Sequence, residues 1–156
     1  MNKKTDIIRP TDDEARALAK RLLNTARYCA IATLEPGSSW PMVTRVAVGF
    51  DGIAPLILVS NLSQHTAALR ANPACSVLLS EANAKGDPLM QPRLTVKCKA
   101  EMTDKEPLRQ QWLAEHPKAK LYFDFTDFEM FRLVPETGFL NGGFGKAFHL
   151  LPSDWA

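Results

Sequence analysis

Residues 59–72 read VSNLSQHTAALRAN and gather many hydrogen-bonding side chains where one element hands over to the next. An apolar run, Leu56-Ile57-Leu58-Val59, stops at Ser60. Asn61, Ser63, Gln64, His65 and Thr66 follow, and helical spacing then continues to Pro73. Ser63 is placed to be the N-cap of a helix over 64–71, which leaves the first-turn amides of Gln64, His65 and Thr66 without helical partners. With the helix dipole, those amides suit a phosphate or carboxylate. The hydroxyls of Ser60, Ser63 and Thr66 and the imidazole of His65 add further polar groups. On local chemistry alone, an ordinary capped helix whose hydroxyls satisfy nearby backbone is the commoner arrangement of such residues.

Two arginines and a glycine run extend the pattern. Arg45 lies in PMVTRVAV, between Thr44 and the pair Val46-Ala47. A charge inside such a strand either points to solvent or is paired at a site. Arg93 opens the strand-like segment QPRLTV. If their strands lie close in a small barrel, both guanidiniums can converge on the helix start, where a planar fork grips two phosphate oxygens. The run Asn141-Gly142-Gly143-Phe144-Gly145 permits positive φ and close approach of backbone to a flat ligand. It equally fits a bulge or tight turn between closing strands.

Several other chemistries lack their residues. No phosphate-loop or dinucleotide glycine motif is present, and no G-x-S-x-G elbow. His65, His116 and His149 have no metal-ligand spacing, so no metal site is expected. Nineteen basic and 17 acidic residues leave a net charge of +2, too balanced to argue for nucleic acid or an anionic membrane. Charges or prolines interrupt every apolar run, so no membrane span is expected. The opening MNKKTDIIRP lacks the apolar segment of a signal peptide. Cys29, Cys75 and Cys98 sit in apolar segments without a CxxC pair and read as reduced core residues of a cytoplasmic protein.

The elements that must position these groups follow from periodicity. The 156 residues suit one domain, 1–156. Thr11-Asp12-Asp13-Glu14 reads as a capping box opening a helix over 12–27. Strands are expected at 28–34, 40–50, 55–60, 74–81 and 92–102, with a loop at 82–91. Thr103-Asp104-Lys105-Glu106 reads as a second capping box, opening a helix to Glu115, and a short helix follows at 118–123. A sixth strand is expected over Asp127–Pro135, and the glycine-rich 138–148 leads into a short closing strand. Turns at 35–39 and 51–52 make antiparallel hairpins. Such a chain closes most simply into a small barrel with helices packed outside.

In this order and spacing, PMVTRVAV, LILVSNLSQHTAALRANPACSVLL, QPRLTVKCKAEM and FRLVPETGFLNGGFGKAF resemble the pyridoxamine 5′-phosphate oxidase-like, FMN-binding split-barrel superfamily, over about residues 12 to 152. SQHT and NGGFG are closest to its haem-utilisation branch. The resemblance implies a mainly β (α+β) fold: a six-stranded antiparallel Greek-key split barrel with flanking helices. It implies a homodimer with FMN at the interface. Thr44, Arg45, Val46 and Ala47 would then run along the flavin and its phosphate arm, with Ser60 beside the ring. Ser63, Gln64, His65 and Thr66 would meet the phosphate. Arg93 would reach the cofactor from the fifth strand, and Asn141, Gly142 and Gly143 from the second subunit. The implied function is an FMN-dependent oxidoreductase of unknown substrate, with no catalytic acid or base assigned. Haem binding or breakdown and non-enzymatic flavin binding are the alternatives. His65-Thr66 replaces the Arg-Lys pair of the oxidases, Gly49 stands where they carry a substrate lysine, and their C-terminal Arg-x-His is missing. A vitamin B6 phosphate is therefore not the expected substrate.

Overall fold

Every second residue is buried along β2 (Tyr28–Leu34) and β5 (Ala74–Ser80): Cys29, Ile31 and Thr33 on one, Cys75, Val77 and Leu79 on the other. That period of two gives each strand an inner and an outer face. In the computed structural model, which describes residues 7–81, 84–143 and 145–156, these strands are joined by β3 (Pro41–Phe50), β4 (Pro55–Ser60), β6 (Arg93–Thr103) and β7 (Phe128–Asn141). The six close into a ring in the order β2-β3-β4-β7-β6-β5, with β5 returning to β2, and every ring pair is antiparallel. The expected mainly β, six-stranded barrel is the fold. Two further strands extend it: β8 (Ala147–Leu150) pairs with the second half of β7, and β1 (Ile8–Arg9) runs parallel to β8.

The barrel interior holds Ile31, Val46, Val48, Ile57, Val77, Leu94, Val96 and Leu140, closed off by Leu22 and Leu23 of α1 (Asp13–Thr25) and by Trp155. A second, smaller core lies outside the ring. Leu56, Leu58 and Met130 turn outward there and are covered by Trp112 of α3 (Arg109–Glu115), Ala119 and Phe123. Burial on both faces explains why β4 reads as an unbroken apolar run. The helix α2 (Gln64–Ala71) carries the chain across from β4 to β5.

Four expected details change. Asp12, not Thr11, caps α1 by accepting from the Ala15 amide at 2.8 Å, and the Thr11 hydroxyl donates to the His149 carbonyl instead. Thr103 ends β6 rather than opening a helix. Asp104 accepts from the Glu106 amide, and a 3-10 turn precedes α3. The short helix expected at 118–123 is a 3-10 turn, Pro117–Leu121. The sixth ring strand does not stop at Pro135 but continues to Asn141, absorbing Gly138. The readings made on residues 1–6, on 82–83 of the loop and on Phe144 lie outside the described residues.

Candidate functional site

Beside α2 the barrel is split. The β3–β4 ladder runs from Phe50↔Pro55 only to Ala47↔Leu58, so the first half of β3, residues 41–46, pairs with β2 alone. Among the described residues its other edge has no strand partner, and a strand normally buries, covers or offers such backbone groups to a partner. The start of α2 lies beside this edge. Thr44 Oγ1 and His65 Nδ1 are 3.0 Å apart, and Gln64 and Ala67 share a depression with Met42 and Glu35. Burial alone lowers the pKa of His65, which favours the neutral imidazole.

The candidate residues at the α2 start divide by what they already bind. Ser63 occupies the N-cap position with extended backbone, but its hydroxyl makes no cap bond. Its carbonyl accepts from the amides of Thr66 and Ala67. Among the described residues, the amides of Gln64 and His65 have no acceptor. Thr66 is different. It is fully buried, and its hydroxyl donates to the Ser60 carbonyl at 2.6 Å. The Ser60 hydroxyl accepts from the Leu62 amide at 3.1 Å. Both hydroxyls therefore fasten the strand-to-helix turn.

Arg45 and Val46 show the alternation of β3. Val46 is buried in the barrel and pairs with Cys29 of β2, and Ala47 packs towards the outer core. Arg45 points outward and lies over the Tyr28 ring, 5.3 Å from its centroid. No carboxylate pairs with it among the described residues. A groove of about 400 Å³ runs along this face, lined by Tyr28, Val43, Thr44, Arg45, Leu78 and Ser80 among others. Tyr28, Val43 and Leu78, and Trp40 nearby in sequence, are exposed.

The remaining candidates form a second group. Arg93 opposes Ser80 on one side and Asn141 on the other in the β5–β6–β7 ladder. Its guanidinium donates to the carbonyls of Leu89 and Gln91, so it does not converge with Arg45 on α2 within the chain. Asn141 accepts from the Gly143 amide through its side chain, and Gly142 and Lys146 close the turn into β8. Gly143 has φ of 123°, and a Cβ there would lie 3.2 Å from the Met90 carbonyl oxygen, so the turn itself requires glycine.

Two groups that matter were not singled out from the sequence. Tyr28 becomes visible once the 35–39 turn is used to count the hairpin, because Ala30 then faces Arg45 and Tyr28 faces Ala47. Trp112 gave no such signal. Its ring lies so close to Gly49 that a Cβ there would come within 2.9 Å of Cζ3, and no lysine fits that place. Among the described residues, no cluster of three or more His, Cys, Asp or Glu can hold a metal ion, and no helix is long and apolar enough to cross a membrane.

Comparison with known proteins gives a consistent picture. The family model described as pyridoxamine 5′-phosphate oxidase matches residues 15–141. The chloroplastic non-canonical heme oxygenase HOZ of Arabidopsis thaliana is 36% identical over 101 residues, which is 63% of this chain and 30% of that protein. A solved structure 42% identical to this chain superposes with a TM-score of 0.90, covering 94% of this chain and 98% of the other. The heme binding protein of Mycobacterium smegmatis is 26% identical with a TM-score of 0.83, covering 95% and 61%. The chain thus spans less than two thirds of the length of both the plant and the mycobacterial protein.

Proposed function

Because the chain belongs to the pyridoxamine 5′-phosphate oxidase family, we propose that it binds FMN on the outer face of β2, β3 and β5 and serves as an FMN-dependent oxidoreductase. The observation that carries this reading is Arg45. An arginine with no carboxylate partner among the described residues lies over Tyr28 in a groove, beside a strand edge with no ladder partner among them. A cation, an aromatic wall and open amides suit a flat ring with an anionic arm. The residues fit the group in part. Arg45, Ser63 and the free amides of Gln64 and His65 would hold the phosphate, whereas Thr66 and Ser60 are already engaged. The bound flavin would supply hydride or electron transfer. The chain's part is to bind, orient and shield it.

The same face is proposed to bind a second copy of the chain. Exposed Tyr28, Trp40, Val43 and Leu78 give it an apolar character, which a partner would cover. Arg93 and the Asn141–Gly143 turn would then act from the rim or from the partner. Location in the cytoplasm remains part of the proposal, supported by three buried free cysteines.

A second reading is haem binding or breakdown, favoured by the similarity to the plant heme oxygenase and the mycobacterial heme binding protein. One experiment separates the two. The purified chain is titrated with FMN and, separately, with haemin, and each is followed by absorbance and by sedimentation velocity. Saturable flavin binding by a dimer supports the first reading. A Soret band with no flavin uptake supports the second. Binding of neither sinks both.

A further inference from the structure

We propose that Cys75 and Cys98 form a two-thiol site that a small hydroperoxide oxidises to a cross-strand disulfide. The site does not depend on any cofactor. Cys75 and Cys98 are direct partners in the antiparallel β5–β6 ladder, and both are buried in the barrel core. Opposed residues of such a ladder have Cα atoms about 4.5–5.5 Å apart, inside the roughly 4.4–6.8 Å that a disulfide spans. With Thr33, Lys97 and Lys99, the pair lines a cavity of about 330 Å³, ample for hydrogen peroxide. Thr33, which also lines the cavity, carries a buried hydroxyl with no hydrogen-bond partner among the described residues.

The two thiols are not equivalent. The Cys98 thiol donates to the Val96 carbonyl at 3.4 Å; its neighbour Cys75 and burial push it up, whereas Cys75 is pulled down by its neighbour Cys98 against the opposing effect of burial. With the Cys98 proton committed to the Val96 carbonyl, Cys75 is assigned as the attacking sulfur. Cys29 serves as an internal control: burial pushes it up to about 12, and its ladder partner on β3 is Val46.

The chemistry balances with hydrogen peroxide as oxidant. The Cys75 thiolate attacks one peroxide oxygen. The O–O bond breaks, an S–O bond forms, and the leaving hydroxide takes up the Cys75 proton as water. The Cys98 sulfur then displaces the oxygen from Cys75, forming the S–S bond, and that oxygen leaves with the Cys98 proton as a second water. Two thiols lose two electrons, and one peroxide becomes two waters.

The test uses the full chain, treated with a few-fold excess of hydrogen peroxide, denatured, and analysed by intact mass, thiol titration and peptide mapping. The expected result is a mass loss of about 2 Da, the two hydrogens given up on forming a disulfide. Two of the three thiols stop reacting, the Cys75 and Cys98 peptides are joined, and dithiothreitol reverses the change. Three thiols still reactive, oxygen addition without a bridge, or a bridge to Cys29 or to another chain would overturn the proposal. Cys98→Ala should leave Cys75 oxygenated and unbridged. The wild-type peptide map decides the matter even if that variant does not fold.

Discussion

The imidazole of His65 and the hydroxyl of Thr44 meet at 3.0 Å where β4 has parted from β3. This contact fastens the first turn of α2 to the free half of β3, and it does so with a histidine that burial keeps neutral. The split in the barrel is thus braced by a group whose charge state depends on pH.

Acid should loosen that brace. The unfolded chain protonates His65 near about pH 6.5, the folded chain only at lower pH. Between those values the unfolded state holds more protons, so stability rises with pH. The contribution is complete above the unfolded value and is lost as pH falls through the folded one. Urea unfolding should therefore give a lower free energy at about pH 5.5 than at about pH 7.5. His65→Gln should flatten the difference. Equal slopes in both proteins would assign the acid sensitivity elsewhere.

Arg45 and Thr66 should separate binding from stability. Arg45 is exposed and has no carboxylate partner among the described residues, so Arg45→Ala should leave the urea midpoint unchanged. A lost charge-assisted bond is worth about 1.5–3 kcal/mol, so FMN affinity should fall roughly tenfold or more. Thr66→Val removes a buried hydroxyl from the Ser60 carbonyl and should cost about 1 kcal/mol of stability. Flavin fluorescence titrations of both variants read the contrast, and an Arg45→Ala protein with unchanged affinity would move the anion site off β3.

Gly49 is set by the ring beside it. An added Cβ would come within 2.9 Å of Trp112 Cζ3, in a side chain that is 2% exposed. Overpacking of this kind typically costs about 1–3 kcal/mol. Gly49→Ala should lower the urea midpoint accordingly, and Trp112→Leu combined with it should destabilise less than the sum of the two single changes.

Lys105 pins the segment after α3. Its ammonium donates to the carbonyls of Phe123, Phe125 and Phe128, at 2.5, 3.0 and 2.7 Å, and lies 5.4 Å from the Phe123 ring centroid. Lys105→Met leaves those carbonyls without their donor. A loss of about 2 kcal/mol or more is expected. Hydrogen exchange should quicken over residues 119–128, and unchanged protection there would contradict this role.

Much of the fold was legible because its strands obey simple periods. The first three ring strands and α2 lie within a residue of their expected bounds, since alternation and turn residues are local signals. The expected sixth strand ends at Pro135, whereas β7 runs on to Asn141 although proline removes a ladder donor. In the barrel Pro135 sits opposite Cys98, where the β6–β7 register shifts between Lys97 and Cys98. β1 gave no signal, because two residues pairing in parallel with a distant strand leave no period to read. At the site, the residue types around Ser63 were readable, but their engagements were not. The Thr66 hydroxyl is bound to Ser60 by the path of the turn, and Arg93 is drawn to carbonyls of the preceding loop. Both depend on the path of an irregular turn or loop, which no periodicity in the sequence encodes.

The half-paired β3 has a consequence for the chain in concentrated solution. From residue 41 to 46 one rim of that strand presents unpaired backbone groups beside exposed apolar side chains. A rim of this kind templates the addition of foreign strands. Pro41 at its head withholds one donor, and the braced first turn of α2 narrows the approach. Whatever else settles there protects as well as functions. Ligand occupancy and colloidal behaviour are therefore coupled, and a preparation stripped of its ligand should be the one that aggregates.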